Sequence, residues 1–351
     1  MNQRLEDVGG WNFVLTVIAD GGDLGERTAR LAMRDVLDGS ATDAQIAAFA
    51  MGLRMKGETV NELVGLVRGM LDVVAIPLEI PSDSVDIVGT GGSIERRAHA
   101  LNVSTMASFV AAAAGATICK HGNYRASSTS GAFDFLAALG LRLDLSAEAI
   151  TACVRTLRIG FAPAPMFHPA MRRAAPVRRE VGIPTVFNIL GPLVHPGRPR
   201  RQVVGTANEQ IAARVAEVFQ RLGSEHAWVV SGAGGLDEIA TTGPSIIYVV
   251  TPQGVRRNEL DVREVGIDPP RSTLELAGGS PEDNVRHFRA ILDGSDSGPR
   301  RDLVTLNAGA ALVVAGVARD LVDGIARARG ALQDGSAERL VDAVRSFTNE
   351  H

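Results

Sequence analysis

The spacing of apolar and polar positions divides the chain into a helical beginning and a mixed remainder. About the first 75 residues carry helical patterns only. Thr42–Gln45 and Thr59–Glu62 each place a threonine three residues before a Gln or Glu, which is the pattern of a helix-capping box. Apolar stripes at helical spacing follow both. Prolines within Ile76–Ser84 indicate the end of this helical region.

From Val85 onward, short apolar runs rich in β-branched residues alternate with turns and helical stripes. The predicted strands are Val85–Val88, Ala116–Cys119, Gln202–Thr206 and Ala227–Val230. The predicted helices are Ser104–Ala114 with Ser104 as its cap, Asn208–Leu222 with Asn208 as its cap, Glu282–Leu292, Ala308–Val317 and Ala337–Phe347. This alternation indicates a sheet flanked by helices.

Composition narrows the class of protein. With 351 residues, 45% of them apolar and 22% charged, the chain can bury the core of two domains. A net charge of −4 and 4% aromatic residues argue against a nucleic-acid partner, although Arg198, Arg200 and Arg201 form a small basic cluster. There is no membrane-length apolar run, no signal-peptide pattern and no disulfide framework among two cysteines, so we expect a cytoplasmic protein without a membrane partner.

A glycine turn follows the first predicted strand. In Gly89-Thr-Gly-Gly92, backbone N–H groups can converge on phosphate oxygens without obstruction by Cβ atoms. Asn102-Val-Ser-Thr105 comes next, at a predicted helix start, and offers hydroxyls to an anion or to its magnesium. An ordinary tight turn is the alternative for the glycines.

A polar cluster ends the second predicted strand. Lys120-His-Gly-Asn123, with Ser127 and Ser128 shortly after it, supplies one cation, side-chain donors and two hydroxyls. The carboxyl ends of strands are where open α/β sheets bind ligands. A polar surface loop with serines that cap a helix is the alternative.

Two further segments offer charged groups for binding. Arg172, Arg173, Arg178 and Arg179 form either an exposed helix face or a set from which one guanidinium turns inward to bind a carboxylate through two hydrogen bonds. Spacing does not decide between these. Gly234-Gly-Leu-Asp-Glu238 follows a predicted strand, and its adjacent carboxylates either bind the magnesium of a polyphosphate or only favour solubility.

In this order, the motifs resemble the anthranilate phosphoribosyltransferase family. The resemblance also includes Gln45–Thr59, His168-Pro-Ala-Met171, Phe187–Leu193 and Asn307–Ala311. It implies an α/β fold of the nucleoside phosphorylase/phosphoribosyltransferase type, with a central mixed sheet flanked by helices. A small helical domain would span residues 1–80, completed by about 170–195, and a larger α/β domain would span 81–169 and 196–351.

The resemblance also implies an activity. Members form homodimers and transfer the phosphoribosyl group of phosphoribosyl pyrophosphate to the amine of anthranilate, with Mg²⁺, in tryptophan biosynthesis. An arylamine is already unprotonated at neutral pH, so no strong general base is obligatory. The remaining task is to position the amine against C1 of the ribose, and we therefore expect no covalent enzyme intermediate. Positioning would come from Asn123, Arg178 and Lys120.

The residues that the resemblance assigns to the substrates share the four motifs and the segment around His168. They are Gly89, Gly92, Ser93, Asn102, Val103, Ser104, Thr105, Lys120, His121, Gly122, Asn123, Ser127, Ser128, His168 and Arg178. Asn123 and Arg178 would face anthranilate, with His121 and His168 along its route. Ser104, Asp237 and Glu238 would serve the magnesium sites.

The chain departs from the family pattern mainly on the phosphoribosyl side. The segment from Ser93 to Asn102 is about three residues longer than usual, so either Ser93 occupies the position of the family's Asp or Glu95 substitutes for it. Tyr124 replaces an Arg, His195 an Asn and Ser231 a His. Two other hypotheses therefore stay open: a paralogue with another aromatic acceptor, and a non-catalytic binding protein. The signatures of the related pyrimidine nucleoside phosphorylases are not present.

Overall fold

The computed structural model describes residues 3–91, 101–124 and 130–351. Its helices are α1 Gly10–Ala19, α2 Glu26–Asp38, α3 Asp43–Lys56, α4 Val60–Leu71, α5 Val103–Ala113, α6 Ala132–Ala138, α7 Ala147–Leu157, α8 Ala164–Phe167, α9 Ala175–Val181, α10 Val186–Leu190, α11 Glu209–Leu222, α12 Pro281–Leu292, α13 Pro299–Ala315, α14 Leu321–Gln333 and α15 Ser336–Glu350. Its strands are β1 Val85–Gly89, β2 Ile118–Gly122, β3 Ile159–Pro163, β4 Arg201–Gly205, β5 His226–Ser231, β6 Ser245–Thr251 and β7 Gly254–Leu260. Short 3₁₀ turns include Pro169–Arg173, Gly191–Leu193 and Thr273–Leu276.

The N-terminal helices begin at the predicted capping boxes. The Thr42 hydroxyl accepts from the Gln45 N–H at 3.2 Å, and the Gln45 amide oxygen accepts from the Thr42 N–H at 2.8 Å. Thr59 and Glu62 form the same reciprocal pair. These bonds satisfy backbone donors that a helix start leaves free. The predicted helical beginning is confirmed for the described residues.

The sheet has the strand order β3-β2-β1-β4-β5-β6-β7. The first five strands are parallel, and β6 and β7 are antiparallel additions at one edge. The predicted mixed sheet is therefore confirmed. The chain extends the sheet from β1 through β2 to β3, and then returns to the other side of β1 with β4. Open α/β sheets bind ligands at such a reversal, outside the carboxyl ends of the strands.

Two layers of helix cover the sheet. On one face, α5, α12 and α13 pack with α6, α14 and α15 in one hydrophobic core. On the other face, α11 packs on β5 and β6, and the same buried cluster continues into α1–α4 and into residues 174–194. The segment from α9 to the 3₁₀ turn at Gly191–Leu193 therefore packs against the N-terminal helices. No helix in the described ranges has the length and apolar character of a membrane span.

Several predicted boundaries moved by one to nine residues. The Ser104 cap is wrong, because α5 begins at Val103 after Asn102 and leaves Ser104 inside its first turn. The second strand begins at Ile118 and continues through Gly122, two residues later than predicted at its start and three at its end. The helix predicted from Ala308 begins at Pro299. Asn208 caps α11 as predicted, through the N–H of Ile211 at 2.9 Å.

Candidate functional site

A cavity of about 850 Å³ opens at the carboxyl ends of β1 and β2, between the sheet and residues of α4, α9 and α10. Twelve predicted site residues line it: Gly89, Asn102, Val103, Ser104, Lys120, His121, Gly122, Asn123, His168, Arg178, Asp237 and Glu238. Thr105 is buried in α5 and does not line the cavity. Gly92, Ser93, Ser127 and Ser128 lie outside the described residues, as do the departures between Ser93 and Ala100. The four motifs thus share one cavity.

The glycine turn after β1 faces a carboxylate. The Thr90 N–H donates to the Gly205 carbonyl at 2.9 Å, and the Gly91 N–H donates to Asp237 Oδ2 at 2.9 Å. Gly91 has φ of +87°, a conformation that favours glycine. One N–H group of the predicted phosphate-binding turn, that of Gly91, is therefore directed to the Asp237 carboxylate.

Glycines at the ends of β1 and β4 let the Asp237 segment lie directly over the sheet. A Cβ on Gly205 would lie 1.6 Å from the Asp237 carbonyl oxygen, and one on Gly89 would lie 2.0 Å from Asp237 Oδ2. The two glycines are register partners in the parallel pair β1–β4. A larger residue at Gly205 would displace the backbone of Asp237, and a larger residue at Gly89 would displace its side chain.

We therefore expect Gly205→Ala to lower kcat/KM by at least about 10-fold, because a displacement on the order of 1 Å at a reacting site has a large effect on rate. Steady-state kinetics on folded protein would measure this. Gly330→Ala is the matched control, since a Cβ there meets nothing within 4 Å and alanine favours helix α14. Wild-type kinetics in Gly205→Ala would contradict the argument.

The Asp237–Glu238 segment is held by a side chain from α13. Asn307 accepts from the Ile239 N–H at 3.0 Å, donates to the Ile239 carbonyl at 3.0 Å, and donates to the Leu303 carbonyl at 2.9 Å. The Gly232 N–H donates to the Leu236 carbonyl on the other side of the two carboxylates. Asp237 and Glu238 are thus adjacent hard-oxygen donors on a fixed segment, which suits magnesium bound partly by phosphate oxygens.

Lys120 is a residue of β2, and its side chain reaches across to β1. Only 2% of its surface is exposed. Its ammonium donates to the Ser104 hydroxyl at 3.1 Å and to the Ile87 carbonyl. The Asp86 carboxylate, buried on β1, accepts from the His121 N–H at 3.0 Å. Burial lowers the pKa of Lys120 and raises the pKa of Asp86, and the charge of each group opposes the shift of the other. The site therefore holds a buried cation at the ends of two strands.

The segment before α5 is fixed from both sides. Its Asn102 N–H donates to the Asn284 side chain of α12 at 2.8 Å, and the Ser130 hydroxyl donates to the Asn102 amide oxygen at 2.7 Å. The first turn of α5 therefore presents Ser104 to the cavity beside Lys120. A hydroxyl there is available to a metal or to a phosphate.

Arg178 is the arginine of its group that turns inward. It is partly buried at the cavity, and its guanidinium carbon lies 5.7 Å from the centre of the Phe187 ring. Arg173 and Arg179 are exposed, and Arg172 is an exposed residue at the cavity rim. Burial lowers the pKa of Arg178, and no acidic side chain within 3–91, 101–124 or 130–351 forms an ion pair with it. Such a guanidinium is suited to an anionic group of a ligand.

Three buried histidines lie beneath the acceptor side of the cavity. The His121 ring lies 5.6 Å from that of His168 and 5.5 Å from that of His195, centre to centre. His168 Nε2 is 2.7 Å from the Val194 carbonyl. Burial lowers the pKa of all three, to about 4 for His195. They are therefore neutral at neutral pH.

Sequence reasoning missed Asp86, Asn307 and Phe187 as site residues. The sequence does contain an indication for Asp86, which interrupts the apolar run Val85–Val88 of a predicted strand. A carboxylate that is buried there must be paired with a partner or become protonated. Asn307 and Phe187 belong to two segments of the family resemblance, Asn307–Ala311 and Phe187–Leu193. However, their side chains contact residues of other helices and loops. No pattern along the chain specifies such contacts.

Comparisons with known proteins match both parts of the chain. Residues 81–338 match the family model described as glycosyl transferase family, a/b domain, and residues 14–74 match the helical bundle domain of the same family. The anthranilate phosphoribosyltransferase of Chloroflexus aggregans is 46% identical over 91% of this chain and 93% of that protein. That of Thermomicrobium roseum is 43% identical over 96% of each.

Solved structures of anthranilate phosphoribosyltransferases have the same fold as this chain. The crystal structure of anthranilate phosphoribosyltransferase from Thermus thermophilus is 36% identical, has a TM-score of 0.88, and covers 96% of this chain and 99% of that one. The Saccharomyces cerevisiae protein, solved in complex with PRPP and Mg, has a TM-score of 0.86 at 23% identity, with coverage of 97% and 98%. That second likeness is one of fold.

Proposed function

The chain belongs to the anthranilate phosphoribosyltransferase family, and from this premise we propose which residues carry its reaction. The activity is transfer of the phosphoribosyl group of phosphoribosyl pyrophosphate to the amine of anthranilate, in tryptophan biosynthesis. The observation that supports the assignment is the shared cavity. Lys120, Ser104 and the Asp237–Glu238 carboxylates line its strand-end side, and Arg178 lines its helical side.

The donor side is suited to the departing pyrophosphate. As the bond from ribose C1 to the pyrophosphate oxygen breaks, negative charge develops on the leaving group. The Lys120 ammonium, already hydrogen-bonded to Ser104, is positioned to stabilise that charge without reorganisation. Asn102 and the glycine turn would bind the remaining phosphate oxygens.

The acceptor side is suited to a flat aromatic carboxylate. Arg178 would donate two hydrogen bonds to the carboxylate of anthranilate, while Asn123 would position its amine towards C1. His121 and His168 are neutral and would form part of the wall behind the ring. Positioning of two bound substrates then accounts for the chemistry, without a covalent enzyme intermediate.

Magnesium fits the donor set at Asp237 and Glu238, with the Ser104 hydroxyl close to Lys120. When bound, the metal would neutralise charge on the pyrophosphate. Among the described residues, no group of three or more His, Cys, Asp or Glu side chains forms a metal site of its own. Two carboxylates and one hydroxyl would leave the remaining positions around a magnesium ion to phosphate oxygens and water.

We expect Asp237→Asn and Glu238→Gln each to raise the magnesium concentration for half-maximal rate by about 10-fold or more, since loss of a carboxylate weakens a hard-cation site. Initial rates at saturating substrates, titrated with MgCl₂, would measure it. Glu282→Gln is the control, because Glu282 is exposed on α12 and does not line the cavity. An unchanged titration in both variants would refute the metal assignment.

One assay tests the function. Purified protein is incubated with anthranilate, phosphoribosyl pyrophosphate and magnesium, and loss of anthranilate fluorescence is followed. Turnover that requires both substrates is expected. Turnover with a different arylamine, but not with anthranilate, would show that the acceptor is that other arylamine. Failure to bind phosphoribosyl pyrophosphate in calorimetry would contradict a phosphoribosyl transfer altogether.

The homodimer and the domain boundaries remain predictions. A homodimer through the N-terminal helices is supported by apolar side chains that those helices expose, Phe13 on α1 and Met55 on α3, which are 46% and 83% exposed. The packing of residues 174–194 with the N-terminal helices supports the proposed completion of the helical domain by about 170–195. Location in the cytoplasm stays an expectation.

A further inference from the structure

The parallel strands β1 and β2 separate towards the active site. Their backbones pair in register at Val85 and Ile118, whereas β1 pairs with β4, and β2 with β3, at five positions each. The Val85 N–H donates to the Thr117 carbonyl. In a regular parallel ladder, the Ile87 N–H would next donate to the Cys119 carbonyl, and the His121 N–H would donate to the Ile87 carbonyl.

Side chains bind three of those four backbone groups instead. The Asp86 carboxylate accepts from the His121 N–H at 3.0 Å, and the Lys120 ammonium donates to the Ile87 carbonyl. The third group, the Cys119 carbonyl, is 2.9 Å from Nε2 of His195. Lys120 and Asp86 belong to the separated strands, but His195 comes from outside the sheet.

His195 has a defined tautomer. The Gly197 N–H donates to its Nδ1 at 2.9 Å, so Nε2 carries the hydrogen and donates to the Cys119 carbonyl. The ring is 2% exposed, and its centre lies 5.5 Å from that of His121. Both polar atoms of the ring are thus satisfied, and its orientation is fixed at both ends.

The segment that carries His195 also carries the acceptor side. It continues directly from α10 and the turn Gly191–Leu193, next to Phe187 against Arg178. The carbonyl of Val194, one residue before, is bonded by His168. His195 therefore connects the strand that bears Lys120 to the segment that packs beside Arg178.

We propose that His195 is a positioning residue, which holds the separated end of β2 and so sets Lys120, on the donor side, relative to Arg178, on the acceptor side. This rests on the proposed function. His195 touches neither substrate in this proposal, and it acts through the Cys119 carbonyl and the His121 ring. Its loss should disturb the alignment of two bound substrates more than the binding of either.

The kinetic test compares two substitutions. His195→Leu removes both hydrogen bonds at similar volume and should lower kcat by about 10-fold to 100-fold, with both KM values within about threefold of wild type. His195→Asn retains a donor and an acceptor and should recover most of the lost kcat. Wild-type kcat in His195→Leu, equal losses in both variants, or a change in KM alone would overturn the proposal.

A matched histidine controls for stability. His226, partly buried at the start of β5, accepts from the Trp228 indole N–H at 3.2 Å and does not line the cavity. His226→Leu should lower the midpoint of thermal unfolding without a change in kcat. An equal fall in kcat for His226→Leu and His195→Leu would assign the effect to general destabilisation and overturn the proposal.

Hydrogen exchange gives a readout that does not need turnover. The amides of Lys120 and His121 should exchange at least about 10-fold faster in His195→Leu than in wild type or His226→Leu, since opening of β2 becomes easier. Unchanged exchange would refute the positioning role. If the wild-type protein fails to turn over anthranilate, the proposed function is wrong, and exchange still decides whether His195 holds β2.

Discussion

Replacement of Arg178 by alanine should raise the KM for anthranilate by about 100-fold and change the KM for phosphoribosyl pyrophosphate by less than about threefold. The guanidinium lies at the cavity, where burial already lowers its pKa. Two hydrogen bonds to a carboxylate, at about 1.5 kcal/mol or more each, correspond to about 100-fold in binding. Steady-state kinetics with each substrate varied in turn would measure the two constants.

The neighbouring arginine provides the control. Arg179 lies on the same helix but is exposed, so Arg179→Ala should leave both constants unchanged. Arg178→Lys keeps the charge without the planar pair of donors and should give an intermediate KM. If Arg178→Ala weakens both substrates equally, its effect is on folding, and the carboxylate assignment is wrong.

Local chemistry in the sequence predicted much of the fold. A threonine three residues before Gln45 or Glu62 binds the free N–H groups of a helix start, whatever surrounds it. The apolar run before Gly234–Glu238 likewise predicted two carboxylates after the end of a strand. In the structure, Asp237 and Glu238 follow β5 and line the cavity. These features depend on contacts within a few residues, so a single sequence contains them.

Contacts between distant elements could not be predicted in the same way. Four arginines between 172 and 179 have similar surroundings along the chain, and only the packing of α9 against α10 places Arg178 inward. Where β1 and β2 separate, the Cys119 carbonyl likewise contacts His195, which is 76 residues away along the chain. The sequence motif ending at Asn123 was visible, but the gap that accommodates Lys120 was not.

The buried position of Lys120 also makes the reaction depend on pH. Burial lowers the pKa of Lys120 below its ordinary value near 10.4. The protonated form stabilises pyrophosphate, so kcat/KM for the donor is expected to be highest below the folded-state pKa. It falls as pH rises through that value. A pH–rate profile of the free enzyme would show this alkaline limb, provided that the rates are measured at saturating anthranilate.

Deprotonation of Lys120 does not itself destabilise the fold over that limb. Between the lowered folded-state pKa and the ordinary pKa, the unfolded chain binds more protons at Lys120 than the folded protein does. The contribution of this group to the free energy of unfolding therefore rises with pH over the same window in which activity falls. Denaturant titrations across the window would separate loss of the charge from loss of the fold.

Lys120→Met should lower kcat/KM for phosphoribosyl pyrophosphate by about 1,000-fold, at the upper end of what removal of one preorganised donor to a developing anion costs. Methionine fills a similar volume but leaves the buried Asp86 carboxylate without its nearest cation. Asp86→Asn combined with Lys120→Met removes both charges, and should restore thermal stability while activity stays low. A double variant that is stable and inactive would assign the loss to the ammonium itself. Recovery of activity in the double variant would show that Lys120 serves only to neutralise Asp86.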